Sequence, residues 1–210
     1  MHDTKEGSFA GLSRRRDHQK GDCPLRFRIQ YNSPVVLTFA LLSLGALVLD
    51  GLTGGTTTRL FFCVYRAPLQ DPLSYLRMAG HVLGHSGYAH YMGNMMLLLV
   101  VGPPLEEKYG SKKLLSCILI TALVSGLVQV ALFPGSALMG ASGIVFMMIL
   151  LSSLAGMRGG AIPLTLILVA LIYLGGEVVD AVTLQDNVSQ LTHIVGGLCG
   201  AFLGMSMSKR

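Results

Sequence analysis

The sequence predicts an all-α membrane protein, a bundle of six transmembrane helices whose first connection lies at the membrane interface. Three observations lead there. Of 210 residues, 51% are hydrophobic and 13% are charged, against about 25% charged in a soluble domain, and the mean hydropathy is +0.59. Apolar runs recur six times along the chain, separated by charged or Gly- and Pro-bearing breaks. The basic residues are also sorted. If the spans alternate, 13 of the 16 Lys and Arg fall on the side of the N-terminal tail, which makes that side cytoplasmic. The 26 glycines suit helices that approach closely in a bilayer.

Residues 1–32 carry Arg14-Arg15-Arg16, Lys20, Arg26 and Arg28 with few apolar residues. They read as a disordered basic cytoplasmic tail that anchors topology and touches anionic lipid. No early apolar stretch marks a signal peptide. The second segment, 33–208, holds all six runs. Span one extends from Pro34 to about Leu49. Residues 50–80, with Phe61, Phe62, Tyr65, Pro68, Pro72 and Tyr75, are too apolar for a plain loop and too broken for a span, so they are placed at the interface. Span two runs from roughly His85 to Val101, ends at Gly102-Pro103-Pro104, and precedes a charged turn over 106–113. Span three is Leu114–Leu132. After the turn Phe133-Pro134-Gly135-Ser136, span four runs from Ser142 to about Ala155. Span five covers Ile162 to about Val179, and span six Ser189 to Met207. Cys23, Cys63, Cys117 and Cys199 are scattered with no C-x-x-C pair, so neither a disulfide nor a metal site is expected.

Depth brings the polar groups of the spans together. Spans two, four and six all begin on the outer side. His90 and Asn94, four apart and on one helix face, lie in the outer half of span two. Ser142 opens span four, and His193 lies about one turn into span six. Each has an ordinary reading as a cap or an interhelical hydrogen bond. Their coincidence in depth points instead to a site, because ionisable groups inside a membrane are costly. A serine hydroxyl becomes a nucleophile when a base takes its proton, and histidine is the usual base near neutral pH. No carboxylate lies at this depth to complete a triad, so the residues read as a Ser142–His193 dyad. The first amides of span four, with that of Ser142, face a developing oxyanion with the positive helix end behind them. His90 and Asn94 can add side-chain donors.

The pattern His85-x-x-x-x-His90-x-x-x-Asn94, then Glu106-x-x-x-Gly110, Gly140-x-Ser142-Gly143, and His193-x-x-Gly196-x-x-x-Gly200 resembles the rhomboid intramembrane serine proteases of bacterial type. The resemblance covers about residues 34–208. It implies a rhomboid-like six-span bundle with a water-filled cavity opening outward, and a serine endopeptidase that cleaves transmembrane segments of membrane proteins near the outer face. It implies Ser142 as nucleophile and His193 as base. It assigns His90, Asn94, Gly140 and the Ser142 amide to oxyanion and substrate binding, with His85, Phe146, Gly196 and Gly200 in support. It also implies span five as the mobile helix through which substrates enter, and a plasma membrane location with both termini cytoplasmic. Cofactor, metal and nucleic acid have no place in it; the partners are transmembrane substrates and the lipid bilayer.

Two departures stand out. Phe146 occupies a position where many bacterial members have Tyr; the ring can still stack on the imidazole but lacks the hydroxyl. The chain has no Trp, so the family's Trp-Arg pair in the first loop is missing, with Tyr65-Arg66 as the stand-in. Gly196 and Gly200 form a G-x-x-x-G expected to pack span six on span four. Two other readings remain: a non-catalytic rhomboid-like binding or quality-control protein, which would typically lack the Ser or the His, and a metal transporter or metalloprotease using His81, His85, His90 and His193. The five-residue step from His85 to His90 is poor ligand spacing on a helix, and no H-E-x-x-H occurs.

Overall fold

A computed structural model describes residues 31–68, 70–156 and 187–208, together with helical backbone at Leu164, Ile167, Leu168, Leu171, Ile172 and Gly175. The expected basic tail falls outside the described residues apart from Tyr31 and Asn32, and so does most of the expected fifth span.

Helix α1 is Pro34–Leu52. Proline suits its first turn because the missing N–H has no intrahelical partner there. Ser33 gives no side-chain cap. Instead the amides of Val35 and Val36 donate to the two carboxylate oxygens of Glu106, at 2.9 and 3.0 Å. Gly54 and Gly55 end the helix. The first connection then folds into two short helices, α2 (Thr56–Phe61) and α3 (Pro72–Gly80), around a two-residue strand β1 (Val64–Tyr65) and closes in a 3-10 turn at His81–Leu83.

Helix α4 is Tyr88–Tyr109. It corrects the expected span two at both ends. His85 lies before the helix, and the helix continues through Pro103 and Pro104. Proline φ is compatible with helix, and what it removes is two hydrogen bonds to the preceding turn. The far side of the break is held independently: Glu106 is bound to the start of α1, and Ser111 Oγ also donates to it at 2.7 Å. The expected charged turn over 106–113 is therefore the end of α4 and the start of α5 (Ser111–Leu132), with Gly110 at φ +83° as the only break between them. α1 crosses α4 at Gly102, where a Cβ would come within 2.7 Å of Val36.

Strand β2 (Ala137–Leu138) pairs antiparallel with β1, Val64 opposite Leu138 and Tyr65 opposite Ala137. Helix α6 (Ser142–Gly156) follows, and α7 is Asn187–Ser208. α6 is central: Ala141, Ile144, Val145, Met147, Met148, Ile149 and Leu151 are all at most 1% exposed. The outward faces of α1 and α5 carry exposed Leu, Val and Ile, as a lipid-facing surface would. Among the described residues, α1 and α5 are long and apolar enough to cross a membrane, while α6 and α7 contain shorter apolar stretches, Ser142–Leu154 and Ile194–Met207.

Candidate active site

The segment before Ser142 is fixed from two sides. Residues 137 and 138 are held in the strand pair with β1. Two residues on, the Gly140 amide donates to His81 O at 3.0 Å. The turn at 133–136 is braced from α5, where Gln129 Nε2 donates to Ser136 Oγ at 3.0 Å. Gly140 itself has φ +131°, a conformation that favours glycine. Ala141 O then accepts the first helical bond of α6, from Val145 N at 2.9 Å. Ser142 is thus the first residue of the helix, and its amide has no intrahelical acceptor.

The same glycine reveals what surrounds it. A Cβ at position 140 would lie 3.0 Å from His90 Nε2, 2.9 Å from His90 Cε1 and 4.0 Å from Ser142 Oγ. The His90 ring therefore packs directly on Gly140 with the Ser142 hydroxyl close by, and a side chain at 140 would strike the ring. Ser142 is 7% exposed. His90 is the third residue of α4, and its other ring nitrogen, Nδ1, faces Ser86 Oγ at 3.1 Å and Ser86 N at 3.4 Å. Asn94, one turn further and buried, donates from Nδ2 to His90 O at 3.1 Å.

His85 is buried and supports this ring. It meets His90 edge-on at 5.0 Å between ring centres and Tyr91 at 5.5 Å, and is itself held through Nδ1 on Leu83 O at 3.1 Å. His81, in the 3-10 turn of the first connection, donates from Nδ1 to Met78 O at 3.0 Å. Burial pushes its pKa down to about 4, against smaller upward effects of the Met78 and Arg77 carbonyls, so it is neutral at pH 7.

Helix α7 packs on α6 backbone to backbone. A Cβ on Gly196 would strike Gly143 O and lie 3.0 Å from Gly143 Cα, and one on Gly200 would lie 2.5 Å from Met147 O. A Cβ on Gly204 would meet Leu151 and Leu154, and one on Gly197 would come within 2.7 Å of the Phe146 ring. Each step along α7 is matched by an equal step along α6, so the two helices run parallel in a fixed register. His193 lies three residues, about one turn, before Gly196 on α7. The side chain of His193 lies outside what is described.

Sequence reasoning missed one anchor of the first connection. Arg66, expected to stand in with Tyr65 for the missing Trp-Arg pair, is exposed. The buried arginine is Arg77, only 2% exposed. It lies over the Tyr65 ring at 4.6 Å, donates to Leu60 O at 3.0 Å and pairs with Asp71 at 2.9 Å. Its signal in the sequence was weak: an arginine on the amphipathic helix α3, six residues after the Asp71 that caps that helix. A cavity of about 560 Å³ opens beside the fixed segment, lined among others by Asp50, Arg59, Cys63, Tyr65, His85, Ser86, Ala137 and Met139. Among the described residues no three His, Cys, Asp or Glu side chains gather as a metal site.

Comparison with known proteins agrees with this architecture. The rhomboid domain profile matches residues 72–210, about two thirds of the chain. "Rhomboid-related protein 1" of Caenorhabditis elegans is 31% identical over 138 residues, covering 61% of this chain and 38% of that protein. "Rhomboid protease GlpG" of Serratia proteamaculans is 28% identical over 141 residues, 64% of this chain and 50% of that protein. The protein of the same name from Pectobacterium atrosepticum is 26% identical over 178 residues, 83% of this chain and 63% of that protein. The chain thus spans less than two thirds of the length of each of these relatives. With the profile match extending from α3 through the Gly140–Ser142 turn to the end of α7, the chain belongs to the rhomboid family and is an integral membrane protein.

Proposed function

We propose that this chain is an intramembrane serine endopeptidase that cleaves transmembrane segments of membrane proteins near the outer face of the bilayer. The observation that carries the reading is the approach of Ser142 Oγ and His90 Nε2 to the same side of Gly140 at the N-terminus of α6. Two relatives named as rhomboid proteases support it. The protease segment is 33–208, a six-span bundle with both termini cytoplasmic in a plasma membrane, as the distribution of basic residues suggests.

In this mechanism Ser142 Oγ attacks the scissile carbonyl carbon while His193 takes the hydroxyl proton. The carbonyl oxygen becomes an oxyanion, met by the Ser142 amide and by the side-chain N–H groups of His90 and Asn94. The C–N bond then breaks, and His193 returns the proton to the leaving amine. Water, deprotonated by His193, attacks the acyl-enzyme and frees Ser142. What supports the role of His193 is the close packing of α7 on α6 about one turn along from it, where Gly196 meets Gly143. The cavity beside Ala137 and Met139, which His85 and Ser86 also line, gives a substrate segment room to bind next to the segment that carries Ser142.

The test is cleavage of a single-span reporter in liposomes by the wild type and by Ser142→Ala. Cleavage that disappears in the variant supports the reading. A folded wild type that cleaves nothing moves it to the non-catalytic binding protein.

A further inference from the structure

An imidazole stabilises an oxyanion only from a nitrogen that carries a proton, and the neighbours of the His90 ring bear on which nitrogen that is. A backbone amide can only donate. The Ser86 amide points at His90 Nδ1 at 3.4 Å, a long contact, and Ser86 Oγ reaches the same nitrogen at 3.1 Å. Both are satisfied together when Nδ1 is a bare acceptor, which leaves the ring proton on Nε2. Nε2 is the nitrogen on the Gly140 side of the ring, 3.0 Å from the point a Cβ would occupy there, with Ser142 Oγ 4.0 Å from the same point.

We propose that Ser86 is a positioning residue that holds His90 in its Nε2–H tautomer and aims that proton at the space beside Ser142. The inference rests on the reading of His90 as an oxyanion donor. Three features support it. Ser86 stands one residue ahead of Gly87, the N-cap of α4, where a serine would ordinarily cap the helix, yet α4 has no side-chain cap: this hydroxyl goes to the ring. The ring is gripped from a second direction by the edge of His85, which is anchored on Leu83 O, so rotation away from Ser86 is opposed. Ser86 also lines the cavity, in reach of a substrate that enters it.

The experiment measures reporter cleavage by Ser86→Ala, Ser86→Thr, His90→Ala and the double variant Ser86→Ala/His90→Ala, with nitrogen-15 spectra of the His90 ring. Loss of one hydrogen bond to the ring should lower kcat by roughly five- to tenfold in Ser86→Ala with KM and melting temperature unchanged. Ser86→Thr should restore the rate. In the His90→Ala background, removing Ser86 should cost nothing further, because its effect passes through His90. The spectra should show Nδ1 unprotonated in the wild type and mixed tautomers in Ser86→Ala. An equal loss in both backgrounds, or no loss in an active enzyme, overturns the inference. If the wild type cleaves nothing, the protease reading fails separately, and the spectra still decide: a tautomer unchanged by Ser86→Ala overturns the positioning role.

Discussion

At the scale of single residues, the account depends on the groups around Gly140. Ser142→Ala should abolish cleavage while leaving the fold intact, since it removes one hydroxyl from the first turn of α6. Asn94 donates to the His90 carbonyl at 3.1 Å in this structure, and the proposed mechanism makes it an oxyanion donor as well. Asn94→Ala should therefore lower kcat by about 10²-fold, read from initial rates, and an unchanged rate would remove it from the site. The nearness of Ser142 to His90 was legible in the sequence because the helical repeat and the order of the spans set their depth without tertiary information. Arg77 was not, because its burial depends on Tyr65, Leu60 and Asp71 converging from three parts of the first connection. Ser86 was not either: nothing in a serine beside a glycine tells whether its hydroxyl caps a helix or holds a ring.

At the scale of elements, close glycine contacts set the site's dimensions. Gly196 has no room for a side chain against Gly143, so Gly196→Ala must part α6 from α7 at the level of Ser142. Cleavage should be lost, and a fully active Gly196→Ala variant would contradict a site built on the close packing of α7 against α6. Gly200→Leu should act the same way one turn deeper, against Met147, with a lower melting temperature. Glu106 works between elements, receiving two amides from the start of α1 and the Ser111 hydroxyl. Glu106→Ala leaves those donors unpaired in a buried place and should cost about 1–3 kcal/mol, seen as a melting temperature lower by several degrees; an unchanged midpoint would mean another group caps α1. The sequence placed most helices within a few residues but broke α4 at Pro103-Pro104. Proline chemistry favours a break there, and what overrides it is the anchoring of Glu106, a contact 70 residues away in the chain.

At the scale of the whole molecule, the first connection is a second support for the segment that carries Gly140 and Ser142. β1 pairs with β2, His81 O holds the Gly140 amide, and Arg77 fixes Tyr65 beneath them. No local pattern announces a two-residue strand pair between positions 64 and 138, which is why the sequence read only an interfacial segment. This coupling has a pH consequence. His81 is buried neutral, with its pKa lowered from 6.5 to about 4. The unfolded chain binds a proton in that window that the folded chain refuses, so the stability His81 permits is complete above about pH 6.5 and falls as pH drops toward 4. The difference is on the order of 3 kcal/mol. Melting temperature in detergent should therefore fall between pH 6.5 and 4, and less so in His81→Gln; equal slopes would place the acid sensitivity elsewhere. The central claim, a serine activated by a histidine from α7, is tested most directly by labelling with a fluorophosphonate probe, which reports the nucleophile without needing the right substrate. The account predicts labelling of the wild type at Ser142, and none in Ser142→Ala or His193→Ala. Labelling that persists in either variant, or a folded wild type that takes no label, would contradict it.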